Sequence, residues 1–471
     1  MQVYREREVK LEVPNDWQLP DPVGALPPDV GVEREDVQLA STYFDTAHLD
    51  LLRCGLTLRR RTGDTDQGWQ LKIPAGDARD ELRLPPDGSS VPTELLKVTL
   101  GARAGQELAP IAVVKTHRAI TRVVAGDGAA LAEMVVDTVT GSHDSTIQTW
   151  REVEVELVNG DQRLLTDLTS WLGERGATAA TVGSKIARTV GYRWPVPAAI
   201  DSLGDLLSTY LAAQHQAILR GDIDMRRGNE AIHDTRVATR RYRSTLRVFA
   251  DVLDSPRADQ LDAELKWYAA VLGEVRDRQV MRRHLDGALA ALPPELVMGP
   301  VADRIHQTLD SEQREAVRKL DEVMRGERYF ALLRELSSWR EELPVVGHRP
   351  AAKVRGYLAK SERKVARRLD AVPPGNGRAA ALHRARKAAK RARYTAELGR
   401  PVVGKPAKKV RKRMKAMQDR LGGGQDAVIT AEFLRRLGAA AGSRQGENGF
   451  TFGILYQREL DRFQRADPTD S

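Results

Sequence analysis
The chain has 471 residues, with 74 Lys+Arg against 65 Asp+Glu and a formal net charge of +9. That length predicts two domains, each able to bury its own core. The one cysteine, Cys54, excludes an intramolecular disulfide and fits a reducing compartment; no run of 18 apolar residues predicts a membrane span, and Met1-Gln2-Val3 runs straight into charged residues, so neither an anchor nor a signal peptide is expected and the expected location is the cytoplasm.

The first element is Glu6-Arg7-Glu8-Val9-Lys10. As a strand, its period of 2 turns Glu6, Glu8 and Lys10 to one face. Alone this fits a solvated edge strand, but the pattern recurs along the chain between Gly, Pro and Asp turn signals. Arg59 and Arg61 share a face in Leu58-Arg59-Arg60-Arg61, as do Gln70 and Lys72 in Trp69-Gln70-Leu71-Lys72-Ile73. Arg79 and Glu81 follow, then Lys115 and His117 in Val113-Val114-Lys115-Thr116-His117-Arg118. Last, Glu152, Glu154 and Glu156 alternate with Val153, Val155 and Leu157. A half-buried strand normally turns its apolar face inward. Here acids cluster on two strands and bases on the others, and a closed antiparallel barrel would bring these charged faces together, with apolar side chains packed outside against helices.

Taken in order over about residues 1–195, these segments resemble the CYTH domains, or triphosphate tunnel metalloenzymes. The matching marks are Glu6-x-Glu8-x-Lys10, Tyr43-Phe44-Asp45-Thr46, Leu58-Arg59-Arg60-Arg61, Leu71-Lys72, Glu154-Val155-Glu156-Leu157 and Ser184-Lys185. The resemblance implies an α+β unit built on an eight-stranded antiparallel tunnel with flanking helices. It implies metal-dependent hydrolysis of inorganic triphosphate, with Mg²⁺ or Mn²⁺ held by Glu6, Glu8, Glu154, Glu156 and Asp137. Glu6, Glu8 and Lys10 are the catalytic candidates. Phosphate falls to Lys10, Arg59, Arg61, Lys72, Glu81, Lys115, His117, Arg118 and Lys185. The division suits the chemistry: phosphoryl transfer needs positioning and charge neutralisation, Arg offers a bidentate fork and Lys a point charge, and carboxylates suit hard divalent ions. The family's basic pair of the form Lys/Arg-x-Arg is replaced by Lys115 and His117, followed by Arg118. Parity turns His117 inward and Arg118 outward unless a bulge reverses it.

Composition changes near residue 200. Residues 1–200 hold 22 Lys+Arg and 29 Asp+Glu, a net of −7, and the remainder 52 and 36, a net of +16. The basic half predicts a polyanionic partner. Trp194-Pro195-Val196-Pro197 reads as the boundary, giving domains at 1–195 and 203–465 with a linker at 196–202. Beyond it, Ala/Leu/Arg-rich runs take the helical period. This half also repeats itself at a spacing of about 150 residues, over about 203–300 and 350–440, which predicts two related helical bundles. His233, Arg236, Arg240, Arg241 and Arg243 return as His383, Arg386, Lys390, Arg391 and Arg393; Lys266, Leu272-Gly273 and Asp277 return as Lys415, Leu421-Gly422 and Asp426. His233, Arg236, Arg240 and Arg243 step by three or four along one helix face, and like charges at that spacing repel. From His383 to Lys415 there are 14 Lys+Arg and one acid, Glu397.

These residues resemble the CHAD domain, through His233-Asp234-Thr235-Arg236-Val237, Leu272-Gly273-Glu274-Val275-Arg276-Asp277 and the second copies. The resemblance implies binding of long-chain inorganic polyphosphate in a basic channel, with association to polyphosphate granules. Its candidate residues are His233, Arg236, Arg240, Arg241, Arg243, Lys266, Arg276, His383, Arg386, Lys387, Lys390, Arg393, Arg411 and Lys415. In the second copy Gly423-Gly424-Gln425 replaces Glu274-Val275-Arg276, so that copy is expected to hold the ligand less fully. A cationic neighbourhood disfavours a metal at His233 and His383. Other readings stay open: a polyphosphate-binding or targeting protein without catalysis, thiamine triphosphatase or adenylate cyclase activity in the same tunnel, and nucleic-acid binding by the basic helices. Against the last stand the lack of a groove-reading motif and the scarcity of aromatics for stacking; no membrane partner is expected.

Overall fold
The computed structural model describes residues 2–22, 26, 30–76, 78–194, 199–374, 377–421, 423–443 and 446–465. The chain divides into two compact units, Met1–Val196 and Pro197–Ser471. Pro195, Val196 and Pro197 of the expected boundary lie outside the described residues.

The first unit contains β1 (Gln2–Glu6), β2 (Glu8–Val13), β3 (Val30–Asp45), α1 (Asp50–Arg53), β4 (Thr57–Gly63), β5 (Gly68–Ala75), β6 (Ala78–Leu84), α2 (Thr93–Thr99), β7 (Ala109–Ala125), β8 (Ala130–His143), β9 (Thr146–Leu157), α3 (Gln162–Gly173), β10 (Thr178–Ala179) and α4 (Lys185–Thr189). The strands form one ten-stranded sheet in the order β1-β6-β5-β4-β3-β7-β8-β9-β2-β10, where eight were expected. Two facts account for the difference. The first charged run is interrupted at Arg7, so that β1 pairs with β6 while β2 pairs with β9, and β10 adds a two-residue edge to β2.

Alternation sorts the sheet into an apolar and a charged face. Val123, Met134, Val136, Val153 and Val155 are buried against Leu165, Leu168 and Leu172 of α3, each such leucine contributing roughly 1.5–3 kcal/mol of burial. Asp161 caps α3 by accepting from the Leu164 amide at 2.9 Å. The side chains one residue out of phase, Glu152, Glu154 and Glu156, belong to the other face. Helix α4 has only five residues; Ser184 caps it, accepting from the Ala187 amide at 3.2 Å, and Ile186 and Ala187 pack on Tyr43, Val114, Val139 and Trp150. The β4–β5 turn needs its glycines: Gly63 has φ 133° and Gly68 φ 125°, and a Cβ would stand 2.1 Å from the Gln38 carbonyl oxygen at the first and 2.3 Å from that of Leu84 at the second.

The second unit is helical: α5 (Leu203–Arg226), α6 (Ile232–Val248), α7 (Ser255–Ala290), α8 (Val301–Met324), α9 (Glu327–Glu341), α10 (Val354–Asp370), α11 (Arg378–Leu398), α12 (Arg400–Val403), α13 (Lys405–Arg420), α14 (Gly423–Ala441) and α15 (Phe450–Arg465). A capping box between Ser202 and Asp205 starts α5. Helix α6 packs on α5, α7 and α11, and α11 packs on α10 and α13. Where the first copy runs through Leu272-Gly273 as one 36-residue helix, α7, the second is divided into α13 and α14. Gly422, at that division, lies outside the described residues, as do the side chains of Gly423, Gly424 and Gln425. No described helix is long and apolar enough to cross a membrane.

Candidate functional site
The charged face of the sheet lines one cavity. β1 and β2 supply Glu6, Glu8 and Lys10; β4 supplies Thr57, Arg59 and Arg61; Lys72 comes from β5, Arg79 and Arg83 from β6, Arg118 from β7, and Glu154 and Glu156 from β9, with Tyr43, Asp66, Ser184 and Lys185 completing the wall. Glu81 is fully buried behind it, 3.7 Å from Arg59 and 3.9 Å from Lys72, and also pairs with Arg83.

At the acidic end the carboxylates divide into a set held by close cations and a pair set against each other. Asp137, in the interior of β8 and fully buried, takes Arg118 in a bidentate pair at 2.8 and 2.7 Å and Lys185 at 2.8 Å. Glu154 is paired with Lys10, with Lys185 at 2.7 Å and with Arg118 at 3.1 Å. Glu152 accepts from the Trp150 indole at 2.7 Å and lies 2.6 Å from Lys185. Burial works against the Glu154 carboxylate, but these cations hold it well below the usual range. Glu8 stands directly opposite Glu156 across β2 and β9, and like charges so placed repel. The buried Glu8 Oε1 accepts no hydrogen bond; Arg79 is 3.4 Å from it and Lys10 3.7 Å. Burial raises the Glu156 carboxyl, and Glu6, Glu8 and Glu154 add to the rise, to about 7. Glu6 is also raised, by burial and then by Glu81 and Glu8, although Lys72 sits 2.5 Å away. A carboxylate oxygen without a hydrogen bond, facing a second carboxylate, fits a hard divalent cation.

At the basic end Arg59 donates to Gln70 at 2.6 Å and to the Tyr43 hydroxyl at 3.3 Å. Arg61 donates to Asp66 at 2.8 Å and to Ser41 at 3.3 Å. Burial, then the charges of Arg59 and Arg118, pull the Arg61 guanidinium down to about 10. Clustered buried cations of this kind are stabilised by an anion.

Strand β7 reverses the expected parity. Lys115 and His117 are exposed, His117 lying 3.6 Å from Asp36, and it is Arg118 that lines the cavity. The phase is set across the ladder, where directly opposed residues share a face: Arg118 is opposite Asp137 and His117 opposite Thr138. No bulge intervenes, since the irregularity between β7 and β8 falls at Val123/Val124. Sequence reasoning put Arg79 on the charged face without assigning it a role, and missed Thr57, Asp66 and Arg83. Arg83 extends the period of Arg79 and Glu81 on β6, and that repeat was the available signal. Asp66 had none: it sits in the β4–β5 turn with φ 56° and reaches back to Arg61 and, at 2.5 Å, to Arg83.

In the helical unit the basic stripes of α6 and α11 meet. Burial, then the charges of Arg240, Arg386 and Arg393, push the Lys390 ammonium down to about 8. His383 is lowered by burial and by Lys387, Lys390 and Arg386, and the exposed His233 by burial and Arg276. Other members of the expected set have acidic partners. Arg236 donates to Asp277 at 2.6 Å, and Arg243 shares Asp262 with Arg247. Arg241 donates to Glu397 at 2.9 Å, and Arg393 lies 3.7 Å from the same carboxylate. A second depression gathers Arg241, Arg393, Lys405, Lys408, Lys409, Arg411, Lys412 and Lys415 around Glu397. Lys266 and Lys387 are exposed, and Arg276 donates to Gln279 at 3.3 Å.

Fold and site together define a two-module chain, a sheet unit with a charged interior and a basic helical unit. Residues 4–190 match the model of the CYTH domain and residues 209–435 that of the CHAD domain. Two proteins of Mycobacterium tuberculosis, from strains H37Rv and CDC 1551 and both named only as uncharacterized, are each 35% identical over 461 residues, 91% of this chain and 88% of theirs. The chain belongs to the family of proteins that join a CYTH domain to a CHAD domain. Among solved structures it is similar to PptA from Streptomyces chartreusis, at 20% identity and a TM-score of 0.49 over 56% of this chain and 96% of that one. It is also similar to the CHAD domain from the plant Ricinus communis, at 21% identity and a TM-score of 0.47 over 58% and 91%.

Proposed function
We propose that the sheet unit is a metal-dependent inorganic triphosphatase and that the helical unit holds polyphosphate. The observation that carries this reading is the single cavity in which Lys10, Arg59, Arg61, Lys72 and Arg118 face Glu6, Glu8, Glu154 and Glu156. In this reading the sheet closes as an eight-stranded tunnel. β1 and β2 count as one strand broken at Arg7, joining β6 on one side to β9 on the other, with β10 outside the ring; the pairing of β1 and β2 supports this. The domains run over 1–195 and 203–465, with the linker at 196–202.

Arg59, Arg61 and Arg118 grip phosphate oxygens through planar forks, and Lys10 and Lys72 add point charges. Glu8 and Glu156, with Glu6, would hold Mg²⁺ or Mn²⁺, which when bound would supply charge neutralisation and Lewis-acid polarisation. Water attacks a terminal phosphorus, the bridging P–O bond breaks, and the departing pyrophosphate carries its charge against the arginines. In the helical unit the cations around Lys390, Arg240 among them, and the depression beside Arg241 offer a chain of phosphates many cations and few competing acids.

A second reading, hydrolysis of a triphosphate that carries an organic group such as ATP or thiamine triphosphate, is favoured by one feature. An adjoining cavity shares Glu6, Glu8, Lys10, Thr57, Arg79 and Ser184 with the first and adds Trp194 and Pro74, an apolar wall beside the phosphate site. Phosphate release from tripolyphosphate, ATP, thiamine triphosphate and long-chain polyphosphate, with Mg²⁺ or Mn²⁺, separates the readings. Tripolyphosphate is expected to rank first; a higher rank for either organic triphosphate would favour the second reading, and no release from any of the four would leave a binding protein.

A further inference from the structure
Three carboxylates in the sheet unit, Asp137, Glu152 and Glu154, place ligand-capable oxygens within 4.8 Å of one another, the spacing of a metal site. That space already contains a cation. The Lys185 ammonium lies 2.8, 2.6 and 2.7 Å from the three, and its side chain is 6% exposed. Its position is built in: Ser184 caps α4 immediately before it, and Ile186 and Ala187 immediately after it are anchored in the core beside Trp150. The trio is further neutralised by Arg118 on Asp137 and by Lys10 on Glu154. A metal ion at the centre would have to displace a buried ammonium from all three partners, and an unpaired buried charge costs several kcal/mol in order of magnitude. Glu8 and Glu156 are a looser case: opposed carboxylates, with the cations nearest Glu8 Oε1 at 3.4 Å (Arg79) and 3.7 Å (Lys10) rather than within 2.8 Å as Lys185 is for the trio.

We propose that Lys185 is the resident cation of the Asp137–Glu152–Glu154 trio, so that the chain takes one divalent ion, at Glu8 and Glu156, and the lysine stands where a second ion would otherwise bind. This deepens the triphosphatase reading and rests on it. Lys185 is a positioning residue: it holds Glu154 beside Lys10 and Arg118 and keeps the trio from competing for the metal. An ammonium brings one positive charge and no exchangeable water, so the attacking water is not activated at the trio.

Mn²⁺ bound per full-length chain, followed by the paramagnetic resonance of the free ion during titration, tests the assignment without reference to turnover. The expected result is one tight Mn²⁺ in the wild type, none in Glu8→Gln/Glu156→Gln, two in Lys185→Met and one in Lys185→Arg. Two ions in the wild type, or one retained by Glu8→Gln/Glu156→Gln, would overturn the proposal, as would a folded Lys185→Met that binds only one. Should Lys185→Met not fold, the carboxylate double variant still decides, because it removes a repulsion and leaves the trio intact. The two proposals fail separately: one bound Mn²⁺ without phosphate release from tripolyphosphate ends the triphosphatase reading and leaves Lys185 as assigned, whereas phosphate release with two bound ions does the reverse.

Discussion

Residues on the same strand have opposite parts in this account, and the difference is one of parity. Arg61 is buried among Arg59 and Arg118 and bonded to Asp66 and Ser41, whereas Lys115 and His117 face away from the cavity with Arg118 turned into it. A hydrogen bond to a charged group is worth about 1.5–3 kcal/mol. Arg61→Ala is therefore expected to raise the KM for tripolyphosphate by about 10- to 100-fold, at about 1.4 kcal/mol per factor of ten. Lys115→Ala and His117→Ala are expected to stay within about twofold of the wild type; steady-state kinetics on the three variants makes the comparison, and a large effect of Lys115→Ala would put the cavity on the wrong face of β7. Glu6, Glu8, Lys10, Arg59 and Arg61 were legible because their own run fixes which residues share a face. The face taken by Arg118 was not, because the phase of β7 is set by Asp137 on the neighbouring strand, and pairing across a ladder is not written in a local period.

Among the elements, α5 carries a group whose ionisation bears on stability. His215 is 1% exposed, neither ring nitrogen has a hydrogen-bond partner, and burial with a smaller contribution from Arg340 lowers its pKa from 6.5 to about 3. The folded state thus excludes a proton that the unfolded chain binds. The stability this supports is complete above pH 6.5 and is lost progressively as the pH falls toward 3. At pH 5 the loss from this group is about 2 kcal/mol, from about 1.4 kcal/mol per unit. Urea unfolding at pH 7 and pH 5 is expected to show the wild type losing about that much more than His215→Leu; equal losses would contradict the assignment. Element type was legible at this scale from the change of period near residue 200, as was the packing of the strands' apolar side chains against helices. The count of ten strands was not. It depends on one residue, Arg7, leaving the ladder as pairing passes from β6 to β9, and an extended residue between two extended runs carries no signal for that exchange. The second copy is divided into α13 and α14 where α14 opens on Gly423 and Gly424, residues that lower helix propensity by about 1 kcal/mol each.

For the whole molecule, the charge is unevenly assigned: a net of −7 over residues 1–200 and +16 over the rest. The two proposed phosphate sites should therefore respond differently to salt. The basic helical surface presents many exposed cations, such as Lys405, Lys408, Lys409, Arg411, Lys412 and Lys415, and interactions between exposed charges are screened over about 10 Å at 0.1 M salt. Long-chain polyphosphate affinity of the full chain is expected to fall by about tenfold or more between roughly 0.05 and 0.2 M salt, as polyanion contacts do. The KM for tripolyphosphate, set by buried groups, is expected to change much less, and equal salt dependence would argue against two separate sites. The central claim is that Glu6 and Glu8 organise a metal-dependent triphosphatase, and it is tested most directly by phosphate release from tripolyphosphate with and without Mg²⁺ or Mn²⁺ in the wild type and Glu6→Ala/Glu8→Ala. The account predicts release by the wild type that requires the metal and is lost in the double variant; release that survives the double substitution, or the absence of metal-dependent release from the wild type, would contradict it.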